Sequence, residues 1–547
     1  MADEKLVKDP VHGYIAIPGV YCNLFVDTPI FQRLRLIEQT SMRWLFPGAR
    51  HDRFIHSLGV YHLASRIYEA IQENVRDEEI KGVLDDTSLK QSFLVAALMH
   101  DCGHAPFSHT FEKFYNRNAD GSFHNATFKK LKSIVPEEDA DDFDFTRIGK
   151  KTPAHHEAMS AYVLLSQFSA SMKKVGVNPG LAARMITGVP YGENAAVVNG
   201  DLHIPPTGAG GSRAKKSIVL WYKVANVLIS LVNGTALDVD KLDYTIRDTW
   251  ASGVKNTAID VDRLIRGATI ARIDPHGKDM VVFAFKKSAI SVVQSVIDAR
   301  NYLYDWVYGH HTVLYYSSLL EQAVVKFAMK YAKEHHTTDK SVLKRLFSPE
   351  MFSKQVALSK DDGLVSYLLS DADILHFLKR FVSDELDYVA YFSHRPYHIP
   401  LWKTAAEYRK SIDQKHQFAF NAKDCIERVR GQFHLSRSEC FACDDLTNKV
   451  YDLTDEAVQI EMSDGEVVPI TSLAHLPQHP HMAARDTPSV FFVYLDVKKT
   501  HLKEQIIDYI NKLPTRKHAY CRCPYAPQGK RCMARNNHPC FMLKHPS

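Results

Sequence analysis

Apolar residues recur at helical spacing along much of the chain. Val60, Ala64, Ile67 and Ile71 follow one another at steps of four, three and four residues, which places one apolar stripe on a helix face. The stretch 93–99 is apolar on every side and predicts a helix buried in a large core. The pattern therefore predicts a mainly α-helical fold.

Shorter runs of β-type residues interrupt the helical pattern. Residues 271–285 predict a β-hairpin inside the helical part of the chain. Strand-like runs at 450–453, 459–462 and 490–495 predict a small α+β region near the C-terminus.

These patterns divide the 547 residues into three parts. We expect a helical core with small β-hairpin insertions over residues 1–330, a helical extension over 331–443, and an α+β region with a Cys- and His-rich tail over 444–547. Polar stretches near 115–152 and 195–216 predict surface insertions in the core.

Composition and charge restrict the class of protein. Hydrophobic residues make up 45% of the chain and charged residues 24%, as in ordinary soluble proteins, and a net charge of +5 does not indicate general nucleic-acid binding. The first residues lack the apolar segment of a signal peptide, and the stretch 93–99 is far shorter than the roughly 20 residues that span a bilayer. Nine cysteines in a chain of this length do not form a disulfide scaffold, so we predict a cytoplasmic protein without membrane contact.

The strongest chemical signal is the pair His100-Asp101 at the end of the apolar stretch. An adjacent imidazole and carboxylate on a rigid helix end can bind one metal ion, and His56 and Asp240 are the candidates for the remaining ligands. Two imidazoles and two carboxylates suit Fe, Mn or Zn, and donor softness does not choose among these metals. Four protein ligands on an octahedral ion leave two positions, for water and a phosphate oxygen, as phosphate-ester hydrolysis requires.

Beyond these four residues, a series of ordered motifs between residue 5 and about residue 330 resembles the HD-domain superfamily, specifically its branch of dNTP triphosphohydrolases. The matching segments are Asp9-Pro-Val-His-Gly13, Asp27 to Arg35, Phe46-Pro-Gly-Ala49, Arg53 to Val60, His100 to His109, His156-Glu157, Asp238 to Tyr244, Arg247-Asp248 and Arg300-Asn301. The branch includes bacterial dGTPases and vertebrate enzymes that join an HD domain to a sterile-alpha-motif domain. Because the match begins near residue 5, we expect no sterile-alpha-motif domain ahead of it.

The resemblance implies a triphosphate pocket beside the metal. Arg53 and Lys241 match positions that contact the triphosphate, and His104, His109 and His156 are candidate general acids, since histidine can protonate a leaving oxygen at neutral pH. The sequence does not choose among the three histidines, and a capping or core role is the alternative for each. We expect Mg²⁺ to accompany the triphosphate.

The resemblance also implies a pocket that selects deoxyribose. Asp248 and Gln39 match residues that bind the sugar 3′-OH, and Tyr244 matches a residue packed where a 2′-OH would lie. Arg300 and Tyr308 match positions that reach the phosphate and the base. Tyr304 stands where the vertebrate relative has His, so the base side of the pocket departs from the family pattern.

A polar and basic segment near the N-terminus matches an allosteric nucleotide site between subunits of regulated relatives. Its residues are Lys5, Asp27, Gln32, Arg33 and Arg35. Lys8 replaces the Asn of the vertebrate pattern, and a solvated amphipathic helix is the alternative interpretation. The resemblance implies a homo-oligomer, either a tetramer or a hexamer.

The cysteines of the C-terminal region suggest a separate site. Cys440, Cys443, Cys521, Cys523, Cys532 and Cys540 supply enough ligands for one structural Zn²⁺ ion. Reduced free thiols are the alternative, since the family does not require this tail.

Three functions fit these observations. The first is a dNTP triphosphohydrolase of the dGTPase type, which converts dNTP and water to deoxynucleoside and triphosphate. The second is an HD-type phosphodiesterase or nuclease that acts on cyclic nucleotides or single-stranded nucleic acid. The third is a non-catalytic nucleotide sensor, which the complete ligand set argues against.

Overall fold

The computed structural model describes most of the chain. The described residues are 4–115, 124–145, 152–192, 212–234, 237–254, 259–274, 278–357, 363–417, 422–444, 458–473 and 490–513. Much of both predicted insertions, the predicted strand at 450–453 and the Cys-rich end of the tail lie outside these residues.

The described chain is mainly α-helical, as the sequence pattern predicts. Helices of six or more residues in the first part are α1 (Arg53–Asn74), α2 (Glu78–Leu84), α3 (Thr87–Met99), α4 (His109–Tyr115), α5 (His124–Lys132), α6 (His155–Gln167), α7 (Ser169–Lys174), α8 (Pro179–Thr187), α9 (Ser212–Val232), α10 (Val239–Ser252) and α11 (Val261–Arg266). Those that follow are α12 (Ile290–Tyr302), α13 (His311–Glu334), α14 (Asp339–Leu346), α15 (Asp371–Val382), α16 (Leu386–Ser393), α17 (Ala405–Ser411), α18 (Ala422–Phe433) and α19 (Lys503–Lys512).

Nine short strands form three small sheets in the described part. They are β1 (Glu4–Asp9), β2 (Gly13–Pro18), β3 (Ala268–Ile273), β4 (Met280–Lys286), β5 (His398–Pro400), β6 (Cys440–Asp444), β7 (Gln459–Glu461), β8 (Val467–Pro469) and β9 (Phe491–Asp496). The sheet orders are β1-β2, β3-β4-β7-β8 and β5-β9-β6, with every pair antiparallel except β4 and β7. The predicted hairpin is therefore β3 and β4, and the predicted strands at 459–462 and 490–495 are β7 and β9.

The chain divides into two compact units. The first holds residues 1–144, 152–394 and 449–485, and the second holds residues 145–151, 395–448 and 486–547. Helices α13 to α16 thus belong to the same unit as α1 and α3. The three-part division made from the sequence stays a prediction.

Helices α1 and α3 form the centre of the first unit, where they pack against each other. The predicted stripe of α1 is fully buried, as are all residues from Phe93 to Met99 of α3. Asp52 caps α1 by accepting a hydrogen bond from the N–H of Ile55 at 3.0 Å, and Asp86 caps α3 in the same way. Because α3 ends at Met99, His100 and Asp101 follow directly from a rigid, buried helix.

Glycine permits the chain after α3 to lie directly against α6. A Cβ atom on Gly103 would lie 2.5 Å from the backbone nitrogen of Ser160, closer than real Cβ atoms come. The N–H of Gly103 donates to Oγ of Ser160 at 3.0 Å, which fixes the contact. The loop that carries His104 is therefore set against α6 by backbone packing.

Gly103→Ala should lower the free energy of unfolding by about 1–3 kcal/mol, since overpacking a rigid contact has costs of this order. Gly82→Ala is the matched control: Gly82 lies exposed within α2, has open space around its Cα, and should gain up to about 1 kcal/mol from the better helix former. Urea denaturation of both variants measures the difference. Equal stability of the two would contradict the close packing.

Candidate functional site

Three separate elements bring the four predicted metal ligands to one point. His56 comes from the first turn of α1, His100 and Asp101 follow α3, and Asp240 lies in the first turn of α10. Nε2 of His56 lies 3.1 Å from Oδ1 of Asp240 and 3.6 Å from Oδ2 of Asp101, and Nε2 of His100 lies 3.5 Å from that same Asp101 oxygen. The four residues predicted from the sequence to lie together are therefore neighbours in the structure.

Each of the two imidazoles turns one ring nitrogen, Nε2, toward this point. Nδ1 of His56 donates to Oδ2 of Asp243 at 2.7 Å, and Nδ1 of His100 donates to the carbonyl of Ala97 at 2.8 Å. Nε2 of each ring is buried and has no hydrogen-bond partner among the described residues. Two such nitrogens beside two carboxylates form a donor set for a divalent transition metal, and the hydrogen bond at Nδ1 orients each ligand.

Asp243 supports the metal ligands from behind. Besides His56, its carboxylate accepts from Nε2 of His12 at 2.6 Å and from Nε of Arg247 at 2.8 Å, while Nη1 of Arg247 reaches Asp9 at 2.8 Å. Burial would raise the pKa of Asp243, but Arg247 and the two imidazoles hold it well below the usual range. The contacts of Asp9, His12 and Asp243 were not predicted, although all three residues lie in the motifs that carry the family resemblance.

Arg53 joins the metal ligands to the chain after α3. Its guanidinium donates to Asp101 through Nη1, to Oγ of Ser108 at 2.8 Å through Nε, and to the carbonyl of Gln39 at 3.2 Å. Burial favours the neutral acid at Asp101, yet Arg53 and the surrounding imidazoles keep its pKa well below the usual range. Asp101 is thus an anionic ligand at neutral pH.

Beside Arg53, the three predicted histidines form a cluster. The ring centroids of His104 and His156 lie 4.5 Å apart, and His109 lies 5.0 Å from His104 and 5.2 Å from His156. Glu112 accepts from Nδ1 of His109 at 2.9 Å and from Nδ1 of His156 at 2.8 Å. Glu112 was not predicted from the sequence. Its spacing of three residues from His109, on the same helix α4, is the signal that could have indicated it.

Burial and charge separate the histidines of this cluster chemically. Burial, with Arg53 and His156 nearby, keeps the pKa of His104 well below its usual value. At His156 burial acts in the same direction, but Glu112 outweighs it and raises the pKa to about 9. At neutral pH His104 is therefore uncharged and His156 carries a proton.

A second group of buried side chains contains the predicted sugar-binding residues. The buried carboxylate of Asp248 accepts from Nε2 of His51 at 2.6 Å and from the hydroxyl of Tyr308. Oε1 of Gln39 is buried and has no hydrogen-bond partner among the described residues. His51 was not predicted from the sequence, and its contact with Asp248 spans 197 positions of the chain.

Tyr244 lies near the same group of side chains. Nε of Arg300 donates to the Tyr244 hydroxyl at 3.0 Å, and the guanidinium carbon lies 4.6 Å from the centroid of the Tyr304 ring. Tyr304, the position that departs from the family pattern, therefore packs against a predicted substrate residue. Lys241 donates to Asp238 and to the carbonyl of Gly234, at the N-terminus of α10.

The predicted allosteric residues do not all share one surface. Lys5 lies 3.0 Å from Asp27, and Gln32 accepts from Nε of Arg35 at 2.9 Å, all on exposed or half-buried chain. Arg33 instead points inward and donates to the carbonyls of Leu369 and His104, each at 2.6 Å.

Only two of the predicted zinc ligands lie among the described residues. Cys440 and Cys443 both belong to β6, where Cys440 is buried and Cys443 is half-buried. Residues three apart on a strand point to opposite faces, so this segment does not have the turn of a zinc knuckle. Cys521, Cys523, Cys532 and Cys540 lie outside the described residues.

Comparison with known proteins agrees with this geometry. The sequence model of the HD domain family matches residues 53–187, which include three of the four candidate metal ligands. The uncharacterized protein YwfO of Bacillus subtilis is 28% identical over 312 residues, 57% of this chain and 53% of that protein. The deoxynucleoside triphosphate triphosphohydrolase SAMHD1 of Danio rerio is 43% identical over 112 residues, 20% of this chain and 17% of that protein.

Solved structures share the fold. A phosphohydrolase from Bacteroides thetaiotaomicron superposes with a TM-score of 0.55 at 20% identity, over 90% of this chain and 99% of that one. A hypothetical protein from Aquifex aeolicus gives a TM-score of 0.55 at 19% identity, over 92% of this chain and 99% of that one.

The chain spans about half the length of YwfO, and less of the named triphosphohydrolases that it matches. Among the described residues, none of the helices combines the length and the apolar character needed to cross a membrane. The family match and the assembled His and Asp residues lead to one conclusion. The chain contains an HD domain, matched over residues 53–187, and over part of its length it is similar to dNTP triphosphohydrolases.

Proposed function

We propose that this protein is a dNTP triphosphohydrolase, which converts dNTP and water to deoxynucleoside and triphosphate in the cytoplasm. The observation that carries the proposal is the arrangement along α10. Asp240 of the metal centre, Tyr244 and Asp248 follow one another at steps of four residues, so they share a helix face and join the metal centre to the sugar pocket. This arrangement supports a substrate whose phosphate and deoxyribose bind together.

The chain's own groups would divide the work at the phosphate. Arg53 and the protonated His156 would neutralise triphosphate charge. A histidine of the cluster would protonate the 5′ oxygen as its bond to the α-phosphorus breaks and water oxygen takes its place. The centre would hold Fe, Mn or Zn, which when bound lowers the pKa of a coordinated water and polarises phosphorus. Mg²⁺ would accompany the triphosphate.

At the sugar, side chains held in place by hydrogen bonds would distinguish a deoxyribose from a ribose. His51 and Tyr308 hold the Asp248 carboxylate in place, and the unpartnered Oε1 of Gln39 is a second acceptor for a 3′-OH. The Tyr244 ring, tied to Arg300, would exclude a 2′-OH by its volume.

Regulation by nucleotide is a further part of the proposal. Lys5, Asp27, Gln32 and Arg35 would bind an activating nucleotide between subunits of a tetramer or hexamer, and Arg33 would contribute from the interior. An activator that bridges subunits favours assembly only through its greater affinity for the assembled state. A structural Zn²⁺ ion bound by the tail cysteines stays a proposal as well, with only one of Cys440 and Cys443 as a further ligand because the two point to opposite faces of β6.

His56→Ala and Asp101→Ala should each lower bound metal from about one ion per chain by tenfold or more, and activity should fall with it, because each removes a ligand. The control is His376→Ala, an exposed histidine of α15 away from the donor set. Elemental mass spectrometry gives the metal content. A His56 variant with wild-type metal and turnover would remove this residue from the centre.

The products should be deoxynucleoside and triphosphate. Hydrolysis of dGTP in H₂¹⁸O should place the label in triphosphate, because attack at the α-phosphorus breaks its bond to the 5′ oxygen. Anion-exchange chromatography with mass spectrometry identifies the products. Pyrophosphate and a monophosphate would indicate a pyrophosphohydrolase, cleavage only of cyclic or polymeric nucleotides would favour the phosphodiesterase alternative, and binding without turnover would favour the sensor.

Ribonucleotides should be poor substrates, and Tyr244→Ala should lower the ratio of kcat/KM for dGTP over GTP by about tenfold or more, since steric selection in a pocket is worth roughly 1–3 kcal/mol. Tyr244→Phe is the matched control: it keeps the ring, loses only the bond to Arg300, and should keep most of the selection. Equal rates for GTP and dGTP in the unaltered protein would contradict the assignment of this pocket.

A further inference from the structure

The loop between α3 and α4 has a strained backbone beside the metal ligands. Phe107 has a φ of +56° and Ser108 a φ of +51°, the left-handed region that residues other than glycine rarely adopt. Two such residues in succession persist only where surrounding contacts hold them. The contacts that hold this loop therefore decide where its side chains lie.

Asp371 supplies two of these contacts with one carboxylate. Its Oδ1 accepts from the N–H of Phe107 at 2.6 Å, and its Oδ2 accepts from the N–H of Glu38 at 2.9 Å. Bonds from backbone N–H groups to a carboxylate are stronger than bonds between neutral groups. Asp371 begins α15, far beyond the HD match of residues 53–187, so the loop is held from outside the matched segment.

Capping of its own helix does not account for Asp371. The N-terminus of α15 is capped by Ser370 and Asp373, whose carboxylate accepts from the Ser370 N–H at 2.7 Å and from its hydroxyl at 2.6 Å. The described bonds of the Asp371 side chain reach other segments of the fold instead.

The held loop leads directly to the metal centre. Oγ of Ser108 accepts from Nε of Arg53 at 2.8 Å and donates to the carbonyl of Glu38. Arg53 in turn donates to the ligand Asp101. Asp371 is therefore linked to Arg53 through two hydrogen bonds, one at Phe107 and one at Ser108, and a third hydrogen bond links Arg53 to Asp101. Arg33 makes a parallel tie from the Leu369 carbonyl to the His104 carbonyl.

We propose that Asp371 is a positioning residue for the phosphate-hydrolysing site: it fixes the Phe107–Ser108 turn and, through Ser108, the guanidinium of Arg53. The kinetic part of this inference rests on the proposed function, whereas the structural part does not. Displacement of a positioned group by about 1 Å can cost on the order of 100-fold in rate, so a loosened turn should affect kcat more than binding.

The test compares Asp371→Asn with Asp373→Asn in the full, metal-loaded chain. Asn at 371 keeps the volume of the side chain but turns an amide NH₂ group toward one of the two backbone N–H donors. One hydrogen bond is then replaced by repulsion between two donors. Asn at 373 disturbs only the cap of the same helix. Hydrogen exchange read by mass spectrometry on peptides covering 104–109, metal content, melting temperature, and kcat and KM for dGTP are measured for both variants.

We expect amide exchange at 107–109 to rise in Asp371→Asn alone, and kcat to fall about tenfold or more with KM changed less than about threefold and metal content kept. Asp373→Asn should lower the melting temperature without either effect. Equal exchange in the two variants would overturn the proposal, as would a raised exchange with unchanged kcat. If the unaltered protein hydrolyses no dNTP, the proposed function fails, and the exchange data still decide whether Asp371 holds the turn.

Discussion

One buried carboxylate, that of Asp243, holds together the parts of the chain that form the candidate metal centre. It binds His12 from the β1–β2 hairpin, His56 from α1 and Arg247 from its own helix, α10. A buried charge costs several kcal/mol unless partners compensate it, and loss of one partner of a buried pair costs about 3–5 kcal/mol. Hairpin and helices must therefore assemble together, and the metal ligands take their positions as a result of that assembly.

The site also separates charge over a short distance. Around the metal ligands, carboxylates kept ionised by Arg53, Arg247 and imidazoles create a negative centre suited to a cation. On the other side of Arg53 lies the histidine cluster, in which Glu112 keeps His156 protonated. A polyphosphate would thus meet a cation at one end and proton-bearing imidazole at the other, without a rearrangement of charged side chains.

How much of this the sequence could predict depends on the range of the interactions involved. The apolar stripe of α1, the buried α3 and the β3–β4 hairpin follow from local periodicity, and all are confirmed. The four candidate ligands were recognisable because family motifs mark them, and the structure brings the four together. By contrast, the contacts of His51 with Asp248 and of Arg33 with Leu369 join residues 197 and 336 positions apart, and no local pattern records such a pairing. Cys440 and Cys443 show a local pattern that misleads. Their spacing is that of a zinc half-site, but both lie on strand β6, which points the two thiols to opposite faces.

The hydrogen bonds made by Asp371 and Arg33 determine how much of the chain is needed to form the candidate site. Residues 53–187, if excised or grafted onto another scaffold, would carry His56, His100 and Asp101 but leave behind Asp240, Asp243 with its partners His12 and Arg247, and both supports of the strained turn. The residues that form and support the candidate site are therefore spread along the chain, from the N-terminal hairpin to α15. Transfer of this constellation of residues to another protein would therefore require nearly the entire first unit.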